Sequence, residues 1–211
     1  MIRNIIFDMG RVVLSISFRG VMREMGFSEP AVEELRGILD RTDFWRRMDE
    51  GVMTLDEGLD FFAGKTQYRD EAREFLLHYD QYMREMPGTI AFMKDAKAAG
   101  MGIYYLSNFQ EHTWKRIEQR GFFALYDGGV VSWRAKLLKP DERIYRLLCD
   151  TYGLRPEECL FIDDFQENID GARQCGIHGI WYDYDNGMDL YAAAWEYGIA
   201  LGEKNVEGPA C

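Results

Sequence analysis

The 211-residue chain has few cysteines, few histidines, a deficit of positive charge and no long apolar run. Its four cysteines, Cys149, Cys159, Cys175 and Cys211, form neither a C-x-x-C pair nor a zinc-type spacing, and His78, His112 and His178 stand apart. That excludes a recognisable zinc motif and a disulfide framework, and leaves thiols expected to be reduced, buried or incidental in a cytoplasmic compartment. With 25 Lys and Arg against 36 Asp and Glu, the net charge is -11. No broad phosphate-tracking surface is expected, so nucleic acid is excluded as a partner and a bound cation is favoured. No segment reaches the length of a membrane span, and Asp8 and Arg11 interrupt the apolar N-terminus before it can form a signal-peptide core, so no membrane association is expected. Internal repeats and low-complexity stretches are also missing.

What is present is a recurring pattern of short apolar runs that end abruptly in polar residues. Asn4-Ile5-Ile6-Phe7 stops at Asp8; Gly102-Ile103-Tyr104-Tyr105-Leu106 stops at Ser107-Asn108; Leu160-Phe161-Ile162 stops at Asp163-Asp164; Gly179-Ile180-Trp181-Tyr182 stops at Asp183. Runs of this length without alternation fit strands buried on both faces, as in a parallel sheet covered by helices. Residues 89–99 and 141–152 carry apolar positions at helical spacing, the first ending before Gly100 and the second lying between Pro140 and Gly153. The alternation predicts an α/β fold. Met101, Tyr104 and Tyr105 are expected in its core.

Residues 16–86 differ, with no strand-like run and several amphipathic helical patterns, including 31–39 and 55–62. Thr54-Leu55-Asp56-Glu57 has the form of a capping box. A helical insert after the first strand is expected, with Pro87-Gly88 marking the return to the sheet. Gly64-Lys65-Thr66 ends like a phosphate-binding loop, but Leu59 stands where the first glycine is required and the preceding segment is helical. Gly64 is read as a helix terminus.

Ligands of open parallel sheets bind outside the carboxyl ends of the strands, which is where Asp8, Ser107, Asn108, Asp163 and Asp164 are expected to converge. Three carboxylates at one edge repel one another and call for a cation, either a divalent metal or a lysine. Hard oxygen donors favour Mg²⁺. Lys139, held extended before Pro140, is within reach of the same edge.

These residues resemble the four ordered motifs of the haloacid dehalogenase-like hydrolases: Asp8 after a strand, Ser107 in Leu106-Ser107-Asn108, Lys139 in Lys139-Pro140-Asp141, and Asp163-Asp164 followed by Asn168. The resemblance implies a Rossmann-like parallel sheet core over residues 1–15 and 87–211, with a helical cap at 16–86. It implies a phosphatase acting on a small phosphorylated metabolite, with Asp8 as nucleophile and Mg²⁺ held by Asp8, the Gly10 carbonyl and Asp164. Asp163 would act through a metal-bound water or by positioning Lys139. Ser107 and the Asn108 backbone N–H would hold phosphoryl oxygens, Lys139 would neutralise charge, and Asn168 would support the fold.

Most such phosphatases carry a second aspartate two residues after the nucleophile, where this chain has Gly10. Loss of a general acid costs on the order of 100-fold to 10,000-fold, which predicts a preference for good leaving groups such as anomeric sugar phosphates or acyl phosphates. Lys136 stands where relatives often have glycine, with a changed turn or an added phosphate-attracting charge as the expected result. Phe18, Arg19, Trp45, Arg46 and Arg47 are candidate substrate contacts from the cap, although Trp45 is by default core and Arg46-Arg47 a solvated face. Two other functions compete: a metabolite-binding or regulatory relative with little turnover, which Gly10 favours, and a metal-independent dehalogenase, which the acidic pair Asp163-Asp164 disfavours.

Overall fold

The computed structural model describes residues 1–183 and 185–201, so Cys211 lies outside the described residues. From the N-terminus, β1 (Asn4–Phe7) leads to the two-residue strand β2 (Leu14–Ser15). Five α-helices follow: α1 (Phe18–Glu24), α2 (Glu29–Arg41), α3 (Phe44–Asp49), α4 (Leu55–Ala63) and α5 (Arg69–His78). Strand β3 (Arg84–Glu85) then pairs antiparallel with β2, so the chain leaves the sheet and returns to it side by side. The remainder alternates: α6 (Pro87–Ala98), β4 (Gly102–Ser107), α7 (Glu111–Ile117), β5 (Gly128–Val131), α8 (Ser132–Ala135), α9 (Glu142–Tyr152), β6 (Cys159–Asp163), α10 (Gln166–Gln174), β7 (His178–Trp181) and α11 (Leu190–Trp195).

The main sheet is parallel throughout, in the order β5-β4-β1-β6-β7, which bears out the expected α/β, Rossmann-like core. Strand β1 is central, and its side chains divide as the pleat requires. Ile5 and Phe7 join the apolar layer that continues into the helices of residues 18–78, whereas Ile6 faces a second layer with Leu106, Phe161, Tyr145 and Ile169 beneath α9 and α10. Burial on both faces explains why the run shows no alternation.

Strand β5 carries no apolar run in its first half, because Gly128 and Gly129 occupy it. A Cβ on Gly129 would lie 2.4 Å from the Tyr105 carbonyl oxygen, and one on Gly128 would lie 2.3 Å from the Tyr152 ring. The glycines are a condition of strand packing here rather than of a turn. Helix α6 opens on Pro87 at its first position, so Pro87-Gly88 begins the helix that leads back into the sheet. The segment expected to be wholly helical also contains β3.

The other helical expectations hold with small extensions. The Thr54–Glu57 capping box is complete in both directions, and Gly64 caps α4, where Lys65 lies over the Phe61 ring. Asp141 caps α9, which ends at Gly153 in the left-handed region at φ 63°. Cys149 and Cys159 are buried and free, and Cys175 is half-buried and free. Among the described residues no helix is long and apolar enough to cross a membrane.

Candidate active site at the carboxyl edge of the sheet

Strand register brings the site together. Phe7 pairs with Tyr105 on one side and Ile162 on the other, so Asp8, Ser107 and Asp163 follow at the same edge. The Asp8 backbone N–H donates to the Ile162 carbonyl at 2.9 Å, which carries the sheet one residue past the strand end. Lys139 arrives from the loop before α9. Its Nζ donates to Asp8 Oδ1 at 2.7 Å and to Asp163 Oδ2 at 2.6 Å, and its side chain is 1% exposed.

Both oxygens of Asp163 are occupied by protein donors. Asn168 Nδ2 reaches each at 3.0 Å, the Phe165 backbone N–H donates to Oδ1 at 2.8 Å, and Lys139 donates to Oδ2. Asn108 braces the lysine from the other side: its Oδ1 accepts from the Lys139 N–H at 2.9 Å and its Nδ2 donates to the Lys139 carbonyl at 3.0 Å. This side-chain brace was not legible in the sequence, where only the Asn108 N–H had an expected role. Ser107 is buried against Asp8 and weakly favours its charged form, yet its Oγ meets no partner in hydrogen-bonding geometry.

The loop bearing Lys139 passes over α10 through a cis Lys139-Pro140 peptide, and Gly171 allows the approach. A Cβ there would lie 2.8 Å from the Pro140 carbonyl oxygen and 3.1 Å from the Tyr145 hydroxyl, which itself donates to the Asn168 carbonyl. Alanine returns about 1 kcal/mol of helix propensity, but overpacking against backbone costs about 1–3 kcal/mol. Gly171→Ala is expected to lower unfolding free energy and turnover together; a denaturant titration showing net stabilisation would contradict this tight approach.

Asp8, Asp163 and Asp164 offer carboxylate oxygens within 4.8 Å of one another. Burial raises the Asp8 pKa above the usual range, Lys139 opposing and Asp163 adding to the shift. Burial pushes Asp164 up to about 7, with Asp8 and Asp163 reinforcing it and Arg11 opposing. Burial works against the Lys139 ammonium, but Asp163 and Asp8 more than compensate and its pKa lies above that of an ordinary lysine. One lysine therefore leaves the carboxylates crowded. Their oxygen-only donor set fits a hard divalent cation, with Asp8 Oδ2 and Asp164 as the oxygens not already held by Lys139 or Asn168. Gly10 lines the same wall.

A cavity of about 680 Å³ opens between this edge and the helices of residues 18–78. Asp8, Gly10, Asn108, Lys139 and Asp164 line it from the sheet, whereas Ser107 and Asp163 lie behind the wall. Of the five candidate contacts in the helical segment, Phe18, Arg19 and Trp45 line the cavity. Phe18 and Trp45 stack with ring centroids 5.0 Å apart, which corrects the expectation that Trp45 is simply core. Arg46 is exposed, and Arg47 lies over the Phe61 ring. Lys136 does not line the cavity. It adopts φ 55°, the left-handed conformation that glycine adopts most readily, and its Nζ donates to the Gly51 carbonyl at 2.5 Å.

Among the cavity residues that carried no sequence signal are three charged ones. Arg11 is paired with Asp164 at 3.0 Å, Arg36 approaches from α2, and Asp49 stands at the end of α3. All three depend on tertiary placement, and none ends an apolar run.

Residues 2–176 match the haloacid dehalogenase-like hydrolase family. A phosphoserine phosphatase of Thermus thermophilus is 24% identical over 129 residues, 60% of this chain and 52% of that protein. An (S)-2-haloacid dehalogenase of a Pseudomonas species is 27% identical over 153 residues, 72% of this chain and 65% of that protein, so the chain covers less than two thirds of either. A HAD family enzyme of Bacteroides thetaiotaomicron, solved with magnesium and inorganic phosphate, superimposes with a TM-score of 0.71 at 20% identity, over 92% of this chain and 99% of that one. With the family match extending over most of its length and the strand-edge carboxylates in place, the chain belongs to the haloacid dehalogenase-like hydrolases.

Proposed function

We propose that the protein is a Mg²⁺-dependent phosphohydrolase that acts on a small phosphorylated metabolite through an aspartyl-phosphate formed on Asp8. The observation that carries this reading is the Asp8–Lys139 pair facing the cavity, braced from behind by Asp163 and with Asp164 beside it. The Asp8 carboxylate attacks phosphorus while Lys139 neutralises charge shared with the phosphoryl group. Asp163 keeps the lysine charged and aimed, and meets a cation only through water. The Asn108 N–H receives a phosphoryl oxygen at the wall, and the Ser107 hydroxyl, buried just behind it and free of other partners, turns to donate to the same group. Mg²⁺ bound by Asp8, Asp164 and the Gly10 carbonyl supplies positive charge that offsets repulsion between carboxylate and phosphate. Residues 16–86 serve as the cap that encloses the substrate, and the stacked Phe18–Trp45 wall suits the face of a sugar phosphate.

The identity to haloacid dehalogenases favours a second reading, in which Asp8 displaces halide without metal. Phosphate release from sugar, acyl, alkyl and aryl phosphates, measured with Mg²⁺ and with chelator, separates the two. Release that requires Mg²⁺ is expected. Halide release from a 2-haloacid with chelator present, without phosphate release, would overturn the phosphatase reading.

A further inference from the structure

Gly10 leaves the sheet edge without the acid that most relatives place there, and the structure shows open space at that point: a Cβ on Gly10 would meet nothing within 4 Å. The opposite wall of the cavity carries a carboxyl. Asp49, the last residue of α3, lines the cavity with Asp8, Lys139 and Asp164. Among the described residues its carboxyl has no ion pair and no hydrogen bond. Its backbone is fixed to the core, since Ser132 Oγ donates to the Asp49 carbonyl at 2.5 Å and Lys136 Nζ to the Gly51 carbonyl two residues on. The left-handed lysine that replaces a glycine thus helps to dock the segment that bears Asp49. Glu167, a further carboxyl on the cavity wall, is exposed at the start of α10.

We propose that Asp49 carries the proton that Gly10 cannot, protonating the leaving oxygen from the cap side and later deprotonating the attacking water. This rests on the phosphohydrolase reading above. In the first step a bond forms between an Asp8 carboxylate oxygen and phosphorus, the bond to the leaving oxygen breaks with its electron pair, and that oxygen takes the Asp49 proton to depart as an alcohol. In the second, water attacks phosphorus and gives a proton to the Asp49 carboxylate; the Asp8–phosphorus bond breaks, and inorganic phosphate and both starting side chains are restored. The groups that face Asp49 are Asp8 from the end of β1, Lys139 from the loop before α9 and Tyr79 from the turn after α5. Burial pushes its pKa up to about 8, Asp8 adding and Lys139 opposing, the direction in which a general acid is held protonated. The leaving-group handicap predicted from Gly10 alone then disappears.

The test compares an alkyl phosphate with p-nitrophenyl phosphate, whose leaving group needs no acid, in wild type, Asp49→Asn, and Asp49→Asn combined with Gly10→Asp. In single-turnover measurements Asp49→Asn is expected to lose about 100-fold to 10,000-fold in alcohol release from the alkyl phosphate and less than about 10-fold in p-nitrophenol release, with Gly10→Asp restoring alcohol release, while steady-state turnover falls on both substrates because water attack loses its base. The retained first-turnover release of p-nitrophenol also certifies that the variant is folded. A second readout uses metal-free protein without substrate. A carboxyl whose folded pKa is raised loses stability as pH climbs from its unfolded value toward about 8, so wild-type Tm should fall across that range more steeply than that of Asp49→Asn. Equal first-turnover losses on both substrates, no loss on either, or parallel Tm profiles would overturn the proposal and leave the phosphohydrolase reading intact. Wild type that releases phosphate from neither substrate would overturn both.

Discussion

Lys139→Met should cost about 3–5 kcal/mol of folding stability as well as all turnover, because it strands two buried carboxylates. An exposed ion pair contributes about 0–1 kcal/mol and its loss is barely measurable. Lys139 is not such a case: its side chain is 1% exposed, and the Asp8 and Asp163 side chains it joins are 11% and 0% exposed. Methionine fills the space of the lysine stem but offers no donor, so Asp163 keeps only Asn168 and the Phe165 N–H while its charge goes unbalanced. Adding Asp163→Asn to Lys139→Met should recover part of the loss, since neutralising the stranded carboxylate removes most of the penalty. Chemical denaturation of the single and double variants measures this directly. A single-variant loss below about 1 kcal/mol would mean that the trio is solvated rather than buried.

Asp8→Asn should have the opposite profile, with turnover reduced by at least about 10,000-fold and stability nearly unchanged. The amide has the shape of the carboxylate but is not a nucleophile. Asp8 also contributes to the repulsion that, after burial, pushes the Asp164 pKa up to about 7, so its neutralisation relieves the site electrostatically. Lys139 retains Asp163 as its partner. Steady-state kinetics and thermal melting, read together, check both halves. Turnover within about 100-fold of wild type would place the nucleophile elsewhere.

The contrast between these variants reflects how the site is encoded. Asp8, Asp163 and Asp164 were legible because each ends an apolar run, and the parallel fold assigns such ends to one edge. Lys139 was legible from the extended backbone before Pro140. The two-sided burial of β1 and β6 made their runs conspicuous, whereas β5 was hidden by Gly128 and Gly129, whose role is to admit Tyr152 and Tyr105.

Residues contributed by the helical segment followed no such rule. Trp45 has core composition but lines the cavity, and Asp49 is one acid among many on short helices. Their significance depends on how α3 docks, which is set by Ser132 and Lys136 more than a hundred positions from Asp8 in the sequence. Local pattern reports which face of a helix is buried, not what that face covers.

Covalent capture of the phosphoryl group tests the central claim most directly. The protein would be mixed with labelled substrate and Mg²⁺, quenched rapidly in acid, digested, and its peptides sequenced by mass spectrometry. A phosphoryl group on Asp8, present during turnover, chased by unlabelled substrate and missing from Asp8→Asn, is the predicted result. Phosphate release with the label on another residue, or on none at any quench time, would contradict it.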